Sequence, residues 1–373
     1  MKASTALIVG AGPAGCVAAR CLAERGLRVS VVERRSHIAG NCFDERDEHG
    51  VWVHRYGPHY FRTADKALLD WLSRFTAWIP GRYYVRADVD GKLIPLPVSL
   101  ATLTALKGEL FDAERLEHYL EAQRVPCESP QNAEEQCLAR VGRELYELLF
   151  RDYTRRQWGL EPRSLHPSIT ARIPLRHDWD ERYVSEPFQV MPAAGYHAMF
   201  AAMLDHPGIA VQTGCSLDGQ AVLDAARDED ITIFTGRIDE LLGERLGPLV
   251  YRSLRFEWEH QEVPFAQPCV QINQTGDRPF TRTVEIKHVT GQRCAGTTLC
   301  REHPTWEGEP YYPVLSRENL DRRQQYSEAA RAYREDPYRL FAVGRLAEYR
   351  YLNMDQVMRR AVDLVGEILA CRG

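Results

Sequence analysis

The stretch Ala6-Leu7-Ile8-Val9-Gly10-Ala11-Gly12-Pro13-Ala14-Gly15, running on to Glu33, constrains the fold more than any other part of the chain. A short apolar run leads into Gly-x-Gly-x-x-Gly. An alanine-rich helical stretch follows from Ala14 to Arg25 and stops at Gly26, and a second apolar run, Val29 to Val32, ends on the acid Glu33. Gly10 allows the tight turn, Gly12 lets the backbone approach a pyrophosphate, and Gly15 lets the helix pack on the strand. The helix N-terminus then turns free N–H groups and a positive dipole end toward phosphates. Glu33, 18 residues after Gly15, is placed to accept from a ribose hydroxyl. The glycine pattern alone is a weak signal, and a glycine-rich turn in an α/β protein is its plain alternative. Strand, helix, second strand and terminal acid in this order point to dinucleotide binding.

At 373 residues the chain can hold two or three subdomains around a sizeable core. The net charge of −5 gives no bulk electrostatic case for nucleic acid or an anionic membrane. No run approaches the roughly 18 apolar residues of a membrane helix. The N-terminus opens into an apolar strand with no leader pattern, so a cytoplasmic location is expected. Ten cysteines are scattered with no C-x-x-C, which reads as reduced thiols and predicts no metal site.

After Glu33 comes Arg34-Arg35-Ser36-His37-Ile38-Ala39-Gly40-Asn41. A basic loop containing Gly40 suits a chain crossing over a large dinucleotide such as FAD, although paired arginines equally suit a solvated edge. Residues 51–63 are dense in aromatic, arginine and histidine side chains around Gly57-Pro58, as a ligand-facing loop would be. Apolar spacing predicts a helix from Ala64 to about Ala77 and a mostly helical region over 100–158. Tyr83 to Val89 alternates and meets Asp90-Gly91, a hairpin signal. Residues 164–180 show no clear period and read as a mobile surface loop. A strand over Asp230–Phe234, alternation over 249–300, a last apolar strand over Arg339–Val343 and a helix from Met354 to Ala370 complete the chain.

The fold class expected is α/β: a Rossmann-like FAD-binding domain built from separated segments, with a helical insertion and an antiparallel β-sheet domain. The FAD-binding domain is assigned to 1–64, 194–244 and 335–373. The helical domain takes 65–80 and 100–180, and the sheet domain takes 81–99, 181–193 and 245–334.

The stretches GAGPAG, ERRSHIAGN, HRYGPHYF, DGKLIPLPVSL, PQNAEE, RELYELLFRDYTRRQWG, RIPLR, YRSLRFE, TRTVEIKHVTGQ, EGEPYYP and VGRLAEYRYLNMDQV run in order over nearly the whole chain. Together they resemble the bacterial flavin-dependent UDP-galactopyranose mutases. The resemblance implies isomerisation of a nucleotide sugar between pyranose and furanose rings with no net redox change. It implies reduced FAD as cofactor, a flavin N5–sugar covalent adduct, an external reductant such as NAD(P)H, and a homodimer.

Forked guanidinium groups suit a leaving diphosphate. The resemblance makes Arg172 the arginine of the mobile loop and Arg282 the second. It makes Trp158 the platform for the base, with Phe150 and Asn273 beside it, and sets Tyr153, Tyr183, Tyr312 and Tyr351 at the diphosphate or sugar. His59 and Arg345 are expected beside the flavin ring. Gly10, Gly12, Pro13, Ala14, Gly15, Glu33, Arg34, Gly40, Asn41, Gly344, Met354 and Asp355 are expected to hold the cofactor.

The chain departs from the family pattern in three places. Arg62 stands where the family has a second histidine, and Asn353 where it has an aspartate. Pro13-Ala14 replaces a larger apolar residue in the glycine loop. Arg62 and Asn353 both make the flavin and sugar region more positive. They point to a sugar other than plain galactose or to a differently tuned flavin. Alternative readings are a mutase for another nucleotide-linked hexose, deoxy or N-acetyl, and a flavin oxidoreductase of the amine-oxidase type.

Overall fold

The computed structural model describes residues 4–172, 174–335 and 337–371. The opening apolar run forms the strand Thr5–Val9, at the centre of a five-stranded sheet. The strand order is Ile209–Gln212, Arg28–Val32, Thr5–Val9, Ile231–Phe234, Leu340–Ala342, and every pair is parallel. Such a sheet needs cover on both faces, which explains why Ile231–Phe234 is buried at all four positions.

The first helix spans Pro13–Ala23 and begins on proline, whose missing N–H is no loss there. Gly10 has φ +103°, and a Cβ on Gly15 would fall 1.8 Å from the Gly10 carbonyl oxygen. Only two glycines let this helix sit so close to its strand. Its small buried residues Ala14, Gly15, Ala18 and Ala19 admit the helices Gly195–Leu204 and Met354–Ala370 against it. Gly26, at φ +86°, turns the chain back into the second strand.

The helical region holds Leu100–Lys107, Ala113–Gln123 and Ala133–Leu145, each started by a polar cap: Ser99, Asp112 and Asn132. A π-helical turn, Tyr146–Arg151, follows and runs into Asp152–Trp158, which ends at Gly159 with φ +67°. The wider turn matters because π-bulges re-aim side chains, and this one carries Phe150.

A seven-stranded sheet is ordered Tyr312–Pro313, Tyr251–Gln261, Thr297–Thr305, Arg282–Val284, Gln271–Gln274, Val85–Val89, Lys92–Leu96. It is antiparallel except where Gln271–Gln274 meets Val85–Val89 in parallel. The hairpin turn is Asp90-Gly91, with both φ values positive, the twist a two-residue hairpin requires. A smaller antiparallel sheet joins Phe61–Thr63, Phe188–Pro192 and Trp78–Pro80.

The stretch 164–180 was expected to lack regular structure. It holds the helical turn Ser168–Ala171, with Leu165 and Ile169 buried. That i,i+4 apolar pair anchors one edge of the segment to the helical region. Ile173 lies outside the described residues.

Candidate active site

A cleft of about 900 Å³ runs from the carboxyl edge of the parallel sheet, at Val9, Val32 and Phe234, to the large sheet at Arg282 and Tyr312. Open α/β sheets bind ligands at this edge.

The near end is a dinucleotide cradle. Gly10, Gly12, Pro13, Ala14, Glu33, Arg34, Gly40 and Asn41 line it. Glu33 accepts from the backbone N–H of Ala11 at 2.8 Å and of Arg35 at 2.9 Å, so its carboxylate is fixed where the second strand ends. Gly40 comes so close to the glycine loop that a Cβ there would lie 2.8 Å from Gly12 Cα. Arg34 and Arg35 both pair with Glu309, which projects from the large-sheet side, and Arg35 also donates to Asn41 Oδ1 at 2.9 Å. Gly344, at φ +111°, and Met354 complete this wall. Two residues expected at the cofactor are not among those lining the cleft. Gly15 is consumed in helix–strand packing, and Asp355 is tucked behind Asn353, near Thr63, where burial pushes its carboxyl upward.

Next along the cleft stand His59 and Arg345. His59 Nδ1 lies 2.9 Å from the Gly57 carbonyl, and its backbone N–H donates to His54 Nδ1 at 3.0 Å. A carbonyl only accepts, so His59 carries its proton on Nδ1 and leaves Nε2 as an acceptor. Burial, reinforced by His54, Arg345 and Arg282, pushes His59 down to about 3, so it is neutral at physiological pH. Arg345 donates to the Leu352 carbonyl at 2.7 and 3.1 Å. That tether holds its guanidinium 5.3 Å from the Tyr351 ring.

The far end is a chamber of arginines and tyrosines. Arg172 Nη1 donates to the Tyr351 hydroxyl at 2.6 Å, and its guanidinium lies 4.7 Å from the centre of that ring. Arg282 Nε and Nη2 donate to Glu302 Oε2 at 2.7 and 2.6 Å, and Nη2 reaches the Tyr312 hydroxyl at 3.4 Å. Tyr153 and Tyr183 line the same space. Arg62 and Asn353 line it too and are hydrogen-bonded to each other at 2.9 Å. Burial would raise the Tyr351 phenol, but Arg172, Arg345 and Arg282 outweigh it and hold the phenol below its ordinary value.

Trp158 is buried, with Tyr312 and Tyr351 at ring-centre distances of 5.9 and 5.8 Å. Phe150 and Asn273 join them around a gap of about 40 Å³. That is close to the volume of a single water in the liquid, ~30 Å³, and far below that of a nucleobase. The Trp158 indole is therefore covered in this structure.

Residues outside the sequence-level set complete the chamber. Glu302 is fully buried and sits directly across the strand pair from Arg282, as Asn273 does on the other side. Cross-strand partners share a face, so one row of the sheet carries Asn273, Arg282 and Glu302 into the site. Glu186 pairs with Arg62 at 2.5 Å. Tyr60 stacks on Tyr83 at 4.1 Å and lines the cleft. Period-two alternation over 249–300 covers Arg282 but stops short of Glu302, and only the register reveals that they meet. Four arginines (62, 172, 282 and 345) face two carboxylates, leaving two positive charges in excess. Among the described residues no group of three or more His, Cys, Asp or Glu could hold a metal, and no helix is long and apolar enough to cross a membrane.

Fold and site define a dinucleotide-binding α/β protein whose cofactor cradle opens into a cationic chamber. A family model described as UDP-galactopyranose mutase matches residues 148–351, and one described as an NAD(P)-binding Rossmann-like domain matches residues 8–75. The dTDP-fucopyranose mutase of Escherichia coli is 33% identical over 366 residues, covering 96% of each chain. A probable UDP-galactopyranose mutase of Klebsiella pneumoniae is 33% identical over 377 residues, covering 99% of this chain and 96% of its own. A crystal structure of reduced UDP-galactopyranose mutase superposes with a TM-score of 0.75 at 16% identity over 99% of this chain and 96% of its own, a likeness of fold. The chain belongs to the UDP-galactopyranose mutase family and is an enzyme of the isomerase class.

Proposed function

We propose that the protein interconverts the pyranose and furanose forms of a nucleotide-linked hexose, UDP-galactopyranose or a close relative such as dTDP-fucopyranose, with reduced FAD in the cleft. The carrying observation is the continuity of the glycine cradle with the arginine–tyrosine chamber, whose two excess positive charges match a diphosphate. The cradle fits a flavin dinucleotide: Gly12 and Gly40 leave bare backbone at the crossing, and Glu33 ends the second strand. Gly10, Gly12, Glu33, Gly40, Asn41, Gly344 and Met354 would hold it. Such a cofactor, bound there in its reduced form, would supply nucleophilic chemistry toward the anomeric carbon.

The chain's own groups bind and orient. Arg172 and Arg282 offer forked donors to the departing diphosphate, and Glu302 keeps the Arg282 fork from turning away. The Tyr351 hydroxyl accepts from Arg172, which leaves its own proton for a phosphate or sugar oxygen. His59 stays neutral with its Nδ1 proton held by Gly57, so Nε2 can accept from a sugar hydroxyl. The segment carrying Arg172 must swing off Tyr351 to expose Trp158 to the base, and its return excludes water. The reaction consumes no electrons, so a reductant such as NAD(P)H is needed only to set the flavin state.

The two relatives at 33% identity differ in both base and sugar, so the substrate is tested directly. UDP-galactopyranose and dTDP-fucopyranose are each incubated with the FAD-loaded enzyme, oxidised or dithionite-reduced, and followed by chromatography and NMR. A furanose isomer formed by the reduced enzyme supports the reading. Flavin reduction by substrate, with no isomer, favours an oxidoreductase instead.

A further inference from the structure

A second charged cluster stands at the other end of the cleft, beside the cofactor cradle. Arg34 and Arg35 follow the parallel strand Arg28–Val32, and Glu309 lies in the loop between Thr297–Thr305 and Tyr312–Pro313. The two loops come from different sheets, and both line the cleft, through Arg34 and Arg35 and through Pro310 and Tyr311. Gly308, at φ +103°, turns the second loop. There the Ser253 hydroxyl donates to the Glu309 carbonyl at 2.7 Å, and the Tyr311 N–H donates to the Arg252 carbonyl at 3.0 Å. The backbone of Glu309 is thus tied to the strand Tyr251–Gln261, and only its side chain reaches across. Its Oε2 accepts from Arg34 Nη2 and, at 3.1 Å, from Arg35 Nη2.

Exposure falls along this bridge, from 50% for the Arg34 side chain and 43% for Glu309 to 17% for Arg35. Deeper still, Arg35 Nη1 donates to Asn41 Oδ1 at 2.9 Å, and the guanidinium lies 4.2 Å from the centre of the Tyr56 ring. His37 Nδ1 lies 2.8 Å from the Ile38 carbonyl and so carries the proton, which leaves Nε2 to accept from the Tyr56 hydroxyl at 2.7 Å. Asn41 and Tyr56 also line the cleft. One carboxylate therefore joins three loops next to the point where Gly40 meets the glycine loop. Two guanidinium groups share it. With Glu309 swung away they would present two positive charges at the mouth, matching the two negative charges of a dinucleotide pyrophosphate.

We propose that Glu309 and the pair Arg34–Arg35 form a latch across the cofactor end of the cleft, which opens to pass a flavin dinucleotide and closes over it. The proposal rests on the FAD reading above and adds a control on cofactor exchange. Arg34 and Arg35 act in both states: open, they draw in the pyrophosphate, and closed, they hold Glu309. Entry and exit pass the same bridge, so the latch governs both rates and leaves their ratio nearly unchanged. An exposed ion pair is weak and is screened by salt, so the control is modest in size and ionic in character.

The test uses the FAD-loaded full chain. Release is followed as exchange of bound FAD for isotopically labelled FAD in excess, and Kd is measured separately by titration of the flavin-free protein. The association rate is the release rate divided by Kd. Glu309 is 43% exposed, so Glu309→Gln leaves the core intact. At about 0.1 M ionic strength this variant should release FAD about threefold or more faster than wild type, with Kd changed by less than about twofold. At about 1 M the two release rates should converge, because exposed charges are then screened beyond about 3 Å. Equal release rates at the lower ionic strength, faster release with Kd rising in proportion, or an excess that persists undiminished in high salt would each overturn the latch while leaving the FAD reading intact. A chain that takes up no FAD would overturn both.

Discussion

Arg62 donates a 2.9 Å hydrogen bond to Asn353 across 291 positions of chain. The fold makes neighbours of these two positions, one on a short strand and one at the cap of the C-terminal helix. A lone arginine facing the sugar would have added a full positive charge. With Glu186 on its other side, that charge is paired.

The glycine loop predicts two different failures for two similar substitutions. A Cβ on Gly12 would find nothing nearer than Gly40 Cα at 3.8 Å, whereas one on Gly15 would meet the Gly10 carbonyl oxygen at 1.8 Å. Gly12→Ala should therefore fold with a near-unchanged melting temperature yet bind FAD about tenfold or more weakly, a loss of ~1.4 kcal/mol. Gly15→Ala should instead lose stability by about 1–3 kcal/mol or more through overpacking. Thermal unfolding and FAD titration of the two variants separate the cases.

Glu302 is fully buried, and its Oε2 takes both contacts from Arg282, while Oε1 has no hydrogen-bond partner among the described residues. Glu302→Gln keeps the shape but removes the charge that holds the guanidinium. Expected is a fall in kcat of about tenfold or more, bounded by the roughly hundredfold to thousandfold seen when one positioned donor is lost outright. Flavin binding should be unaffected. Steady-state kinetics and FAD titration of this variant check both parts.

His54 and His59 give a pH dependence of definite sign. Burial pushes both imidazoles down to about 3. Below about pH 6.5 the unfolded chain takes up protons that the folded chain refuses, so stability falls as pH falls. The slope is at most about 1.4 kcal/mol per pH unit for each histidine. Burial pushes the neighbouring Asp44 carboxyl up, which acts in the opposite sense at lower pH, so the window to read is 6.5 to 5. Urea unfolding across that window should show a declining stability, and His54→Gln should remove about half of the slope.

Tyr351 and Tyr312 stack at 5.7 Å but lie in different electrostatic surroundings. Burial raises Tyr312, whereas the three arginines around Tyr351 outweigh its burial. Ultraviolet difference titration should show one phenolate forming ahead of the rest, and Tyr351→Phe should abolish that early step.

Local patterns in the sequence carried most of the fold. The strand–glycine–helix start, the Asp90-Gly91 hairpin and the C-terminal helix lie where periodicity and turn chemistry put them. Periodicity missed what depends on register. The parallel seam between Val85–Val89 and Gln271–Gln274 joins strands far apart in sequence, and no local pattern specifies it. Glu302 and Glu186 were illegible for the same reason: an acid on a strand or in a turn looks solvated until its arginine arrives from elsewhere. Most of the residues that the motifs singled out line the cleft. The motifs could not show that Gly15 and Asp355 stand behind its wall, which is set by packing in three dimensions.

The central claim is isomerisation with reduced FAD and no net redox change. The most direct measurement reduces the enzyme-bound flavin once, anaerobically, and adds a large excess of nucleotide sugar while recording flavin absorbance and product together. The account predicts many furanose products per flavin with the spectrum remaining reduced. One product per flavin with reoxidation, or equal turnover by the oxidised enzyme, would contradict it.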